Sequence, residues 1–93
     1  MVIVGGGIVG TATAFHLARL GVTDVVLLER ETLASGSTSR SAGGVRLQFA
    51  DELNVRIMQR ALPELERFDE LVGAHAENVP DIAFLQVGYL FLL

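Results

Sequence analysis

Three glycines at a fixed spacing are the residues of this chain whose pattern first suggests chemistry. They form the run Gly5-x-Gly7-x-x-Gly10, between an apolar β-branched stretch and an Ala-rich stretch. Gly5 permits a tight turn, Gly7 lets the backbone approach a pyrophosphate, and Gly10 lets a helix pack closely on a strand. The N-terminus of that helix offers unpaired N–H groups to phosphates. The pattern predicts a dinucleotide-binding turn, and a glycine-rich turn without a ligand is the alternative.

An acidic residue further along the chain adds a second contact for the same kind of ligand. Glu29 follows the apolar run 25–28 and comes 19 residues after Gly10. Its carboxylate is placed to accept hydrogen bonds from the ribose hydroxyls of an adenosine. An acid at this position disfavours a 2′-phosphate, so NADP fits less well than NAD or FAD. The glycines and the acid do not separate FAD from NAD.

These residues require a β-α-β unit to position them. Residues 2–4 and 25–28 are short apolar runs typical of strands buried in a parallel sheet, and residues 8–20 read as a helix. Gly21 is suited to the left-handed conformation that ends many helices. The expected fold class is therefore α/β, with a Rossmann-like unit whose crossover is right-handed.

The second half of the chain predicts a long helix and a hairpin. Apolar residues recur at helical spacing over 51–72, with Asp51 as a candidate cap and Pro63 expected to kink or split the helix. Residues 31–50 and 74–80 are expected to be loops. Residues 82–86 and 89–93 look like two strands joined at Val87-Gly88, which would form an antiparallel hairpin.

Composition excludes several classes of protein. The 93 residues contain no Cys, so disulfide scaffolds and Cys-based zinc sites are excluded, and two isolated His predict no metal site. The net charge of -4 argues against nucleic acid as a partner. The apolar start, about 15 residues long, is short of the roughly 20 needed for a membrane span. The sequence alone thus predicts a cytoplasmic chain without a transmembrane segment.

Three segments together resemble one family. The runs VIVGGGIVG (residues 2–10), VLLER (26–30) and SGSTSRSAGG (35–44) are similar to the start of the FAD-dependent amine oxidoreductases of the D-amino acid oxidase superfamily. Glycine oxidase, sarcosine oxidase, dimethylglycine dehydrogenase and the β-subunit of dye-linked L-proline dehydrogenase belong to that group. Residues 43–49 and 88–91 also resemble it. The resemblance favours FAD over NAD.

The resemblance implies roles for particular residues. Residues of the pyrophosphate loop, the ribose site, the adenine end and the strip beside the isoalloxazine ring are expected to bind the cofactor: Gly5, Gly7, Ile8, Val9, Gly10, Glu29, Arg30, Ser37, Thr38, Arg40, Ser41, Ala42, Gly43 and Gly44. In dimethylglycine and sarcosine dehydrogenases, the position matching Arg40 is a His that carries the flavin covalently. Arg cannot form that bond, so we expect non-covalent FAD and a weaker assignment to those two enzymes.

Arg46 is the candidate catalytic residue. It falls where sarcosine oxidase-like enzymes carry an Arg near the flavin. A cation there could raise oxygen reactivity or bind a substrate carboxylate through a bidentate pair. The alternative is a surface Arg or an ion pair to the acidic helix.

The resemblance implies oxidation of an amine or amino acid by hydride transfer to the flavin, followed by imine hydrolysis. We expect residues 1–80 to be the N-terminal part of the FAD-binding domain and residues 81–93 to start the antiparallel sheet of a substrate domain. The chain would then be a fragment of a longer protein, inactive alone, with the remainder or another subunit as partner. The alternatives are a NAD-dependent dehydrogenase fragment, a non-catalytic nucleotide-binding or subunit remnant, and a truncated reading frame.

Overall fold

The structure, a computed structural model, describes residues 1–73 and 81–92. Its elements follow in the order β1 (Val2–Val4), α1 (Ile8–Arg19), β2 (Val26–Leu28), α2 (Glu52–Glu66) and α3 (Phe68–Gly73). The chain divides into two compact units, Met1–Gly44 and Val45–Leu93. Each unit is described by itself.

The first unit is the predicted β-α-β arrangement. Strands β1 and β2 pair in parallel, with Val2 opposite Val26 and Val4 opposite Leu28. Ile3 and Leu27 are half-buried, while Val2, Val4, Val26 and Leu28 are each more than half exposed. The α/β class and the parallel pairing expected from the sequence are confirmed.

Helix α1 ends where the sequence predicts. Gly21 adopts a φ of 84°, and its N–H donates to the Ala18 carbonyl at 2.9 Å. The N–H of Val22 donates to the Leu17 carbonyl, also at 2.9 Å. These two bonds form a Schellman motif, in which a left-handed glycine satisfies the last carbonyls of a helix.

The second unit contains two helices where one long helix was expected. Asp51 caps α2, because its side chain accepts a hydrogen bond from the Asn54 N–H at 2.9 Å. Pro63 lies inside α2, and the helix breaks at Arg67 (φ -122°, ψ 42°) before α3 begins. A single long helix is thus not confirmed. The sequence correctly allowed a split, but the break comes four residues after the proline. The proline removes a backbone donor, yet its own carbonyl still accepts from the Arg67 N–H at 3.3 Å.

The predicted C-terminal hairpin is not confirmed. Residues 81–92 contain no strand, although Gly88 takes a φ of 72° at the predicted turn. Leu90 and Leu92 are 87% and 91% exposed. An isolated two-stranded hairpin is marginal without a third strand or a helix against its apolar face, so alternation alone does not make the strands pair. The predicted loop 74–80 lies outside the described residues.

The described part of the chain holds no buried hydrophobic side chain, and Gly6 is the one residue there that is buried. The least exposed point of the first unit is therefore Gly6, within the glycine turn. Among the described residues, no helix has both the length and the apolar character needed to cross a bilayer.

Candidate cofactor-binding cleft

The three spaced glycines have distinct structural reasons to be glycine. Gly5 takes a φ of 102°, a conformation that L side chains rarely adopt. A Cβ on Gly10 would lie 1.9 Å from the Gly5 carbonyl oxygen and 3.4 Å from Cγ2 of Ile3. A Cβ on Gly7 would lie 3.0 Å from Oγ1 of Thr38. The φ of Gly5 matches the tight turn, and the clash at Gly10 matches the close helix packing, that the spacing predicts.

The N-terminus of α1 lies next to the loop that follows β2, and Thr38 of that loop contacts it. Gly7 is the N-cap and offers no side-chain cap. The N–H of Ile8 instead donates to Oγ1 of Thr38 at 3.0 Å, across 30 positions of sequence. One free donor of the helix end is therefore satisfied by Thr38, a residue that the resemblance implies for cofactor binding.

Glu29 directs its carboxylate at the glycine turn. Oε2 accepts from the Gly6 N–H at 2.7 Å, and Oε1 accepts from the Glu31 N–H at 2.9 Å. The hydrogen bond from the Glu31 N–H, and next the one from Gly6, lower the pKa of Glu29 below its usual value. Each oxygen keeps a further lone pair, so the group can still accept hydrogen bonds from ribose hydroxyls.

The loop after β2 folds into successive turns. The Ser35 N–H donates to the Thr32 carbonyl, and the Ser39 N–H to that of Ala34, at 3.2 and 3.1 Å. Ala34 takes a φ of 62°, unusual for a residue with a Cβ. Its N–H donates to the Gly6 carbonyl at 2.9 Å. The loop therefore contacts the glycine turn and the start of α1 through a backbone hydrogen bond from Ala34 and a hydrogen bond to the Thr38 side chain.

A cleft of about 400 Å³ lies between the turn and this loop. Six of the predicted site residues line it: Gly7, Glu29, Arg30, Ser37, Thr38 and Arg40. Four residues that were not predicted as site residues line it too: Glu31, Ala34, Ser35 and Gly36. The added four come from the turns between Glu29 and Ser37, whose path the sequence pattern does not specify. The remaining predicted residues do not line it: Gly5, Ile8, Val9, Gly10, Ser41, Ala42, Gly43 and Gly44.

Arg46 belongs to the second unit. Its guanidinium carbon lies 4.9 Å from the ring centroid of Phe49, and the residue is exposed. This is a cation–π contact, which restricts an otherwise flexible cation. Within the described residues, no group of three or more His, Asp and Glu is arranged to hold a metal ion.

The cleft suits the ADP half of FAD. Gly7 at the start of α1 and the Glu29 carboxylate both line it, and the absence of a Cβ at Gly7 lets the Thr38 hydroxyl lie close to the helix N-terminus. Two arginines and two glutamates line the same space, which offers cations of the kind that pair with phosphates and carboxylates that can accept hydrogen bonds from hydroxyl groups.

Comparisons with known proteins give several relatives. FAD-dependent oxidoreductase domain-containing protein 1 of Xenopus laevis is 39% identical over 99% of this chain and 19% of its own length. Mouse mitochondrial sarcosine dehydrogenase is 36% identical over 99% of the chain and 10% of its own length. Human mitochondrial dimethylglycine dehydrogenase is 57% identical over 77% of the chain and 8% of its own length. The chain spans at most about a fifth of these relatives.

These relatives bear on two expectations from the sequence. Both dehydrogenases that Arg40 was expected to set apart are among them, so that departure does not remove the similarity. Their names place both in mitochondria, and the predicted cytoplasmic location stays a prediction.

No solved structure gives a significant match. The model of one family, described as FAD dependent oxidoreductase, matches residues 1–93. The chain belongs to this D-amino acid oxidase (DAO) family of FAD-dependent oxidoreductases.

Proposed function

We propose that this chain binds the ADP half of FAD in the cleft of its first unit, within a polypeptide that oxidises an amine or amino acid. The observation that carries the proposal is the meeting of the α1 N-terminus and the Glu29 carboxylate on one glycine turn. The family supports the cofactor, and two relatives named as sarcosine and dimethylglycine dehydrogenases support the amine substrate class.

Different residues of the cleft bind different parts of the cofactor. Gly7 and the start of α1 receive the pyrophosphate, and Thr38 donates its hydroxyl proton to a phosphate oxygen while still accepting from Ile8. Glu29 accepts from the ribose hydroxyls. Its negative charge rejects a 2′-phosphate, which favours FAD over NADP-type ligands.

Bound FAD supplies two-electron redox chemistry by accepting a hydride from the carbon next to the amine nitrogen. The part of this chain is to bind and orient it. Arg40 stands where the covalent His of some family members would be, and a guanidinium does not form that link, so the flavin is held non-covalently. Ser41, Ala42, Gly43 and Gly44 are proposed to run beside the flavin ring.

Two further assignments are proposals of the same kind. Arg46 binds a substrate carboxylate or raises the oxygen reactivity of the flavin. Residues 81–93 begin the substrate domain, with 1–80 belonging to the FAD-binding domain.

Titration of the chain with FAD, followed by flavin fluorescence, tests the binding proposal. ADP should compete with FAD, because the ADP half carries the contacts. Thr38→Val should weaken FAD binding about tenfold by removing one hydroxyl next to charge, while the matched variant Thr38→Ser should bind like the parent chain. Binding of NAD in preference to FAD, or no competition by ADP, would contradict the proposal.

A further inference from the structure

Gly6 is the glycine that the spacing pattern leaves unassigned, and it is the buried residue of the described chain. Both of its backbone polar groups bond to the segment after β2. Its N–H donates to Oε2 of Glu29 at 2.7 Å, and its carbonyl accepts from the Ala34 N–H at 2.9 Å. Gly6 is thus hydrogen-bonded to two residues that line the cleft, Glu29 and Ala34, which are five positions apart in the sequence.

The reason for glycine at this position differs from that at Gly5. Gly6 does not have a positive φ, so its backbone conformation is open to alanine. What excludes a side chain is space. A Cβ would lie 2.5 Å from Cδ2 of Leu33, 3.1 Å from Cβ of Glu29 and 3.2 Å from its Oε2.

These contacts differ in consequence. Leu33 is 63% exposed, and the end of its side chain can swing into solvent. Glu29 cannot move without cost, because both of its carboxylate oxygens are engaged by backbone N–H groups. A methyl group on residue 6 would therefore act mainly on the position of the Glu29 carboxylate.

We propose that Gly6 is a positioning residue. It holds the Glu29 carboxylate and the turn at Ala34 against the phosphate-binding glycines, so that the groups that bind ribose and pyrophosphate are in place before the cofactor arrives. This inference rests on the proposed FAD function and deepens it. The strained φ of 62° at Ala34 fits the same role, because that conformation accompanies the N–H bond back to Gly6.

A double-mutant cycle in the full chain tests the inference. Gly6→Ala should weaken FAD binding about tenfold, comparable to spoiling one charge-assisted hydrogen bond. If residue 6 acts through Glu29, adding Gly6→Ala to Glu29→Gln should cause almost no further loss. In a Leu33→Ala background, which removes the 2.5 Å contact, the Gly6→Ala loss should persist. An additive cycle, or full rescue by Leu33→Ala, would overturn the inference.

A second readout does not depend on the flavin. Carboxyl ¹³C NMR of the ligand-free chain should give Glu29 a pKa below its usual value, and Gly6→Ala should move that pKa back toward it. A purely structural role for Gly6 would not move this pKa selectively. If the parent chain binds no FAD, the proposed function fails, and this titration alone decides the inference. An unchanged Glu29 pKa in Gly6→Ala would overturn it.

Discussion

Replacing Gly10 with alanine tests how closely α1 packs on the glycine turn. The new Cβ would lie 1.9 Å from the Gly5 carbonyl oxygen, and ordinary contact begins near 3.4 Å, so backbone would have to move by about 1.5 Å. Neither partner is a flexible side chain. Overpacking costs about 1–3 kcal/mol, and a clash with backbone atoms belongs at the upper end, about 3 kcal/mol, against a gain of about 1 kcal/mol from replacing glycine by alanine in a helix.

We expect the steric cost to exceed the gain in helix propensity. Gly10→Ala should be about 2 kcal/mol less stable than the parent chain, with a melting temperature lower by about 10 °C. Urea and thermal unfolding followed by circular dichroism would measure it. Gly36→Ala is the matched control, because a Cβ there meets nothing within 4 Å and its φ is not positive. That variant should be as stable as the parent or slightly more so. Equal stability of Gly10→Ala and the parent would refute the packing.

Three further outcomes are expected. Asp51→Ala should lower the unfolding midpoint and Asp51→Asn should largely preserve it, because the side-chain oxygen that caps α2 is lost only in the first; equal midpoints for all three chains would argue against the cap. The pKa values of Asp51, through its bonds from Asn54, and of Glu29, through those from Glu31 and Gly6, are lowered by folding. The stability they contribute is therefore fully present above the ordinary carboxyl pKa of about 4 and is lost as pH falls through the lowered pKa values. Glu29→Gln should flatten this pH dependence of stability in acid denaturation curves. An unchanged slope would contradict the hydrogen bonds of Glu29. Phe49→Leu should free the Arg46 guanidinium, which NMR of the Arg side chain should show as a loss of the ring-current shift that Phe49→Tyr retains; identical spectra for both variants would exclude the contact.

Local chemistry explains what the sequence predicts well. The helix-ending Gly21 and the capping Asp51 each depend on neighbours within a few residues, and the structure has both as expected. The Gly10 contact with Gly5 also follows from short-range spacing. These features are set by backbone sterics and by the hydrogen bonds of single turns.

Features that depend on distant neighbours were not predictable in the same way. The contact of Thr38 with Ile8 depends on the path of the turns after β2, and so does the closure of Ala34 on Gly6. The hairpin expected over 82–93 is not confirmed in its described part, residues 82–92, for a related reason: alternating apolar residues need further strands or a helix to pack against before they pair stably. The break at Arg67 comes four residues after Pro63, whose carbonyl still accepts from the Arg67 N–H, so its position does not follow from the proline alone.

The most direct test of the central claim is the visible absorption spectrum of the purified chain after incubation with excess FAD and removal of free flavin by desalting. We expect flavin absorption to remain with the protein, and trichloroacetic acid to release it into the supernatant, because Arg40 provides no covalent link. A folded chain that retains no flavin, or one that retains NAD instead, would contradict the assignment of this cleft to FAD.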